Sequence, residues 1–289
     1  MNHKIKTSVF QFLSFLPKPL GVKLYHKLQY FSENKNLNLK LKSSENTFNS
    51  FLTICKLLKI EPDNKSIIEI GSGWLPIIPY LFIFKGKAKR VYTYDLNEHY
   101  QENSIVDFNA VFSKEYNQII DIPKKGKYSL PKELVYFPSQ NIITAEIPKA
   151  EIVFSRFVLE HVTPKDIAEM HTKFKNTLEK GSHIVHFISP SDHRAYSDPS
   201  LSLHDFLKYD QKEWNRIQTK FDYHNRLRLP QYLEIFKSLD YEIIYLTFDS
   251  VKKDSEQHRL FKNIEIHSDY KNYSDEELTA GNINIVLKV

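Results

Sequence analysis

SIIEIGSGW, residues 66–74, is a short apolar run that ends in two glycines one residue apart. Three isoleucines within five residues suit a strand buried on both faces of a parallel sheet. Gly71 and Gly73 then let the chain turn tightly and let a ligand approach bare backbone. A second strand, RVYTYD (90–95), closes on a carboxylate, Asp95. It lies about 20 residues beyond the glycines, where nucleotide-binding α/β folds hold the group that accepts hydrogen bonds from ribose hydroxyls. Glu69 places a further acid at the end of the first strand.

Outward from this pair, five more β-rich runs appear: LVYF (134–137), EIVFS (151–155), HIVHFI (183–188), YEIIYLTF (241–248) and NINIVLKV (282–289). Helical stretches separate the first five strands and two strands come late, which predicts an α/β doubly wound seven-stranded sheet, mostly parallel with an antiparallel edge strand. VTPKDIAEM, after the fourth strand, carries helix-start chemistry: Thr163 to cap, Pro164 for the first turn, Asp166 for the positive dipole end. Lys180-Gly181 marks its stop. Residues 1–63 read as an N-terminal helical appendage, including SVFQFLSFL and LYHKLQYF; it is either a lid or, with Lys4, Lys6, Lys18 and Lys23, a surface for an anionic membrane. Residues 64–289 form the expected catalytic domain, with insertions at about 97–133 and 189–229; the second is the expected acceptor region.

IIEIGSGW, VYTYDLN and EIVFSRFVLEHV together resemble successive motifs of class I S-adenosylmethionine-dependent methyltransferases, over residues 64–190 and more loosely beyond. The resemblance implies a Rossmann-like fold and S-adenosylmethionine as cofactor. It implies that Glu69, Gly71, Ser72 and Gly73 surround the methionine part, that Asp95 holds the ribose, and that Asn141 in YFPSQNII meets the adenine amino group. Ser155 falls where the family's backbone meets the cofactor. Leu75 stands in place of the family's third glycine. Pro76 occupies the position where a nicotinamide-binding GxGxxG needs glycine, which argues against a dehydrogenase.

The chain of 289 residues is 41% hydrophobic and 13% aromatic, enough for a sizeable core. Its 40 basic and 35 acidic residues give a net charge of +5 spread over short clusters, not the single stripe expected for a nucleic-acid partner. The lone Cys55 excludes an intramolecular disulfide, and the absence of a secretory pattern makes the expected location cytoplasmic, with the inner membrane face as an extension of the lipid-surface reading.

For the acceptor, HFISPSDHRAY brings Asp192 and His193 to the end of the fifth strand. His193 is the expected proton acceptor with Asp192 to orient it; an ordinary surface Asp-His pair is the plainer alternative. His161 in LEHV is a second candidate base, or a packing residue. Asn225, Arg226 and Arg228 in YHNRLRLP are expected to bind the acceptor, unless the loop is simply solvated. No residue is assigned to a metal. FLKYDQKEW and YHNRLRLP also resemble methyltransferase-domain proteins encoded with bacterial surface-polysaccharide genes, which implies a saccharide or glycan hydroxyl as acceptor. A small lipophilic acceptor, or a non-catalytic binding module that kept the fold, are the competing readings. Nucleobase amino-methylation is disfavoured because SRFV stands where those enzymes carry a D/N-P-P-Y/F stretch.

Overall fold

The computed structural model describes residues 3–17, 20–21, 24–25, 27, 37–124, 126–219 and 221–289, with side chains from residue 7 onward. Lys18, Lys23, the side chains of Lys4 and Lys6, and most of LYHKLQYF lie outside the described residues. In chain order the elements are α1 (His3–Phe15), α2 (Leu37–Leu58), β1 (Ser66–Ile70), α3 (Ile77–Tyr80, continued by a π-turn over Leu81–Lys85), β2 (Arg90–Tyr94), α4 (Glu102–Tyr116), β3 (Leu134–Phe137), β4 (Ile152–Arg156), α5 (Pro164–Thr177), β5 (His183–Ile188), α6 (Gln211–Ile217), α7 (Leu229–Ser238), β6 (Glu242–Asp249), α8 (Glu256–Lys262), α9 (Asp275–Thr279) and β7 (Gly281–Lys288). Every expected strand is found, with ends displaced by one residue at most.

The strands form a seven-stranded sheet in the order β3-β2-β1-β4-β5-β7-β6. The chain runs outward from β1 to β2 and β3, then returns to β4 on the other flank of β1, all in parallel register. That reversal makes the carboxyl ends of β1 and β4 the topological switch point, where open α/β sheets bind ligands. β6 and β7 run antiparallel: Asn282 Nδ2 donates to Asp249 Oδ2 (2.6 Å), and two residues on Asn284 Nδ2 donates to Thr247 Oγ1 (3.3 Å), two residues back.

The chain gathers into two compact units, one of Met1–Lys27, Phe157–Thr172 and His186–Leu287, the other of Leu28–Arg156, Lys173–Val185 and Lys288–Val289. In the second unit β1 is buried along nearly its whole length, as a strand covered on both faces must be. Phe48 and Phe51 of α2 pack edge-on to Phe82, and Phe51 and Phe82 meet Phe154 of β4 in the same way. Edge-to-face pairing sets the positive rim of one ring against the negative face of the next. The apolar run from Leu75 to Phe84 becomes α3 and its π-turn, with Leu75–Ile83 buried. Its prolines are tolerated because Pro76 caps the helix and Pro79 lies in the first turn, where backbone N–H groups have no intrahelical partner.

In the first unit the start of α5 follows the expected chemistry. Thr163 Oγ1 accepts from the Asp166 N–H at 3.1 Å and donates to Asp166 Oδ2 at 2.7 Å. The hydrophobic centre of this unit joins Phe206, Leu207, Trp214, Phe261, Tyr270 and Leu278. Gly181, in the second unit, adopts φ +92°, as its place after α5 predicts.

Candidate functional site

The glycine loop of the second unit is locked at its root: the Gly71 N–H donates to the Tyr94 carbonyl at 2.8 Å, which ties the end of β1 to the end of β2. Gly71 and Gly73 have φ of +82° and +59°, left-handed conformations that disfavour any side chain. A Cβ at Gly73 would meet nothing within 4 Å, so the backbone there faces open space. Asp95 sits beside this opening. Its Oδ2 accepts from the Ser72 hydroxyl at 3.2 Å, and its Oδ1 accepts from the Asn97 N–H at 2.9 Å with His99 Nε2 at 3.5 Å. A carboxylate so held keeps lone pairs for further donors.

Around this core the sequence did not indicate an aromatic wall. The Trp74 and His99 rings lie 4.4 Å apart, Tyr100 stacks on Tyr136 at 4.0 Å, and Tyr136 accepts the His99 N–H at 3.0 Å. Tyr128 packs edge-on to Tyr136, and its hydroxyl and Lys127 both donate to Glu98. The segment 97–133, expected only as an insertion, thus builds a side of the site; its density of tyrosines was the available signal.

Glu69 does not face the opening. It is buried, and its Oε2 accepts the Thr93 hydroxyl at 2.5 Å across the β1–β2 register. Burial pushes its pKa up to about 8, and the nearby Asp95 charge adds to the rise. Its position is that of a neutral structural acid between strands. Asn141 is exposed and uses Oδ1 to accept the Ile143 N–H at 3.0 Å, closing a turn. Ser155 is fully buried in β4, opposite Ile70 of β1.

In the first unit three histidines converge. The ligand nitrogens of His161, His193 and His224 all lie within 4.8 Å of one another, from positions with no regular spacing in the sequence. His161 is in the turn after β4, His193 opens the turn after β5, and His224 precedes α7. Asn225 fastens two of these segments together. Its Nδ2 donates to the carbonyls of Leu159 (2.6 Å) and Val162 (2.8 Å), and its N–H donates to the Glu160 carbonyl at 3.0 Å. The Trp214 indole holds the His224 carbonyl at 2.9 Å. His161 Nδ1 donates to the Tyr223 carbonyl at 2.8 Å, which leaves Nε2 as the lone-pair nitrogen of the neutral ring.

Several expected roles require correction. Asp192 does not orient His193: both its oxygens are bound by Arg194, with contacts of 2.6–3.1 Å to Nε, NH2 and the backbone N–H. A bidentate guanidinium takes up the carboxylate's acceptor directions. Arg226 and Arg228 are not a solvated or acceptor-facing pair either, since both are buried. Arg226 donates to the carbonyls of Phe206 (3.0 Å) and Tyr209 (2.6 Å), and to Gln211. Arg228 donates to those of Arg226 (3.1 Å), Leu278 (3.2 Å) and Pro190 (2.8 Å). These cations organise the 189–229 segment from inside, and Asn225 does the same.

No family model matches the chain, and no curated protein does. Solved structures do resemble it. Magnesium protoporphyrin IX methyltransferase from Synechocystis PCC 6803 with bound SAH superposes with a TM-score of 0.46 at 11% identity, covering 84% of this chain and 82% of that one. An S-adenosylmethionine-dependent methyltransferase from Mesorhizobium loti gives 0.44 at 13% identity, over 79% of this chain and 93% of that one. A SAM-dependent methyltransferase from Methanosarcina mazei gives 0.43 at 15%, over 79% and 93%.

Proposed function

We propose that the chain is an S-adenosylmethionine-dependent methyltransferase. The observation that carries this reading is the open glycine loop at the end of β1 with the Asp95 carboxylate at the end of the neighbouring β2. The residues present fit the cofactor. Bare backbone at Gly73 admits the methionine part, Asp95 accepts from the ribose hydroxyls, and the Trp74–His99 rings supply an apolar face for the adenine side. When bound, the cofactor supplies a methyl group on a positively charged sulfur. The chain's own residues hold the acceptor in line and exclude water. An alcohol acceptor must also lose a proton.

Titration calorimetry tests the cofactor reading. Wild-type protein is expected to bind S-adenosylmethionine, and Asp95→Ala to bind at least about 100-fold more weakly. No heat at millimolar cofactor sinks the proposal.

For the acceptor we favour a saccharide or glycan-precursor hydroxyl. The small cavity beside His193 and His224, large enough for a hydroxyl group but not for a sugar ring, is lined by Gln218, Thr219, Asp222 and Arg194 against Trp214, hydroxyl-directed groups beside an aromatic face. Turnover with labelled cofactor over a panel of nucleotide sugars and glycans is expected in wild type and lost in Asp95→Ala. Binding without turnover on any acceptor would favour a non-catalytic module. One observation favours a membrane-surface acceptor as a second reading: Phe12 and Phe15 of α1 are 64% and 88% exposed. Among the described residues no helix is long and apolar enough to cross a membrane.

A further inference from the structure

Two groups of histidines in the first unit differ in kind. His171 and His186 are fully buried, with Nε2 to Nε2 at 2.9 Å, and His171 Nδ1 donates to the Ile167 carbonyl at 2.7 Å. They satisfy one another and leave no room for a third body. His161, His193 and His224 are arranged otherwise. Their ring centroids are 4.0–5.2 Å apart, His161 is exposed and His193 half-buried, and a small cavity of about 30 Å³ borders His193 and His224. That volume suffices for a water-sized guest.

We infer that His161, His193 and His224 form a binding site for a divalent transition-metal cation of the nitrogen-preferring class, zinc foremost. Three neutral imidazoles with no thiolate are the donor set that suits zinc and its first-row neighbours. Three protein ligands also leave one position of a tetrahedral ion open to water or another oxygen donor. The ligand atoms lie within 4.8 Å of one another, and metal–nitrogen bonds of about 2.0–2.1 Å would draw them to about 3.4 Å.

The supporting shell is already built. The Tyr223 carbonyl receives His161 Nδ1–H, fixing the tautomer that presents Nε2, the arrangement seen in ligating histidines generally. The backbone of His224 is pinned on both sides, its N–H donating to Gln218 and its carbonyl accepting from Trp214. The His193 turn is capped by Asp192, which accepts the Arg194 N–H. Asn225, the residue after His224, donates to the carbonyls of Leu159 and Val162 on either side of His161. Asp222, on the wall of the same cavity, adds negative charge. Residues so held lose little freedom on binding, which favours a defined site over casual capture by surface imidazoles. All of these groups belong to one unit, so the inference stands apart from the methyl-transfer reading.

The test uses the full chain without a polyhistidine tag, stripped with chelator, dialysed, and titrated calorimetrically with zinc chloride. One equivalent is expected to bind with a submicromolar dissociation constant. His161→Ala, His193→Ala and His224→Ala are each expected to weaken it at least 100-fold, whereas His183→Ala, on β5 and outside the cluster, leaves it unchanged. X-ray absorption on the zinc-loaded wild type provides a second measurement that does not depend on any variant folding. Three imidazole nitrogens at about 2.0–2.1 Å are expected. Absence of stoichiometric binding, unchanged affinity in three folded variants, or a coordination shell without three imidazoles each overturns the site. Failure here with S-adenosylmethionine binding intact leaves the proposed activity standing, and the reverse outcome leaves the metal site standing.

Discussion

Glu69 looked from the sequence like a cofactor ligand because it directly precedes the glycine loop, but strand alternation turns its side chain toward Thr93 instead. Its raised pKa has a definite sign. Between the unfolded value, near 4.5, and about 8, the native state holds a proton that the unfolded state has released, so stability falls as pH rises through that window. Glu69→Gln keeps an acceptor for Thr93 without the proton. Its melting temperature is expected to stay flat from pH 6.5 to 8 while that of the wild type declines, and its affinity for S-adenosylmethionine is expected to remain within a few-fold of wild type. Parallel declines in both proteins would refute this account. Asp95, one strand over, lies at the rim of the opening, since the residue that follows a strand leaves the sheet whichever way its neighbours alternate.

At the scale of elements, α5, α7 and β5 meet through the neutral His171–His186 pair, with Phe236 against both rings and the Tyr241 hydroxyl on the His171 carbonyl at 2.6 Å. Burial lowers the His171 pKa to about 4 and depresses that of His186 as well. The unfolded chain therefore takes up protons before the native one, and stability is lost as pH falls from about 6.5 toward 4, by about 3 kcal/mol for His171 alone. Denaturant titrations should show this loss in wild type and much less of it in a His171→Leu, His186→Leu double variant; equal acid slopes would remove the pair as its source. The arginine loop makes a second case. Arg228→Met deprives three carbonyls of their donor and is expected to cost about 3 kcal/mol in denaturant stability, with Arg228→Lys recovering little because an ammonium cannot reproduce the planar fork. A lysine variant as stable as wild type would contradict that geometry. Sequence gave these arginines the wrong surroundings for a physical reason: a run rich in charge reads as solvated, and only the fold reveals that backbone carbonyls surround it. The helix start at Thr163 was legible because capping is local. The three-histidine cluster was not, because its members come from three turns that only the sheet brings into one unit.

For the whole molecule, the doubly wound order was legible in short apolar runs spaced by helices. What could not be read was how the 97–133 segment sets its aromatic rings beside the loop, since aromatic packing depends on distance in space rather than along the chain. Cofactor binding to the native state alone would raise stability by about 2.7 kcal/mol at a concentration 100 times the dissociation constant. Thermal melts with S-adenosylmethionine should shift upward by a few degrees in wild type and by far less in Asp95→Ala. The exposed Phe12 and Phe15 make a separate expectation: if α1 meets lipid, the chain sediments with anionic vesicles and Phe12→Ser, Phe15→Ser abolishes it. Wild-type protein that stays in the supernatant would discard the membrane reading.

β7 has an implication for how the molecule is made. Residues 281–288 fill the place between β5 and β6, two strands that come earlier in the chain. A growing polypeptide must therefore hold β5 and β6 with their neighbouring edges unsatisfied until that segment arrives. Exposed strand edges recruit other chains. Crowding of nascent chains is thus the circumstance in which this protein is most vulnerable, and slower synthesis or lower temperature during production should favour soluble material.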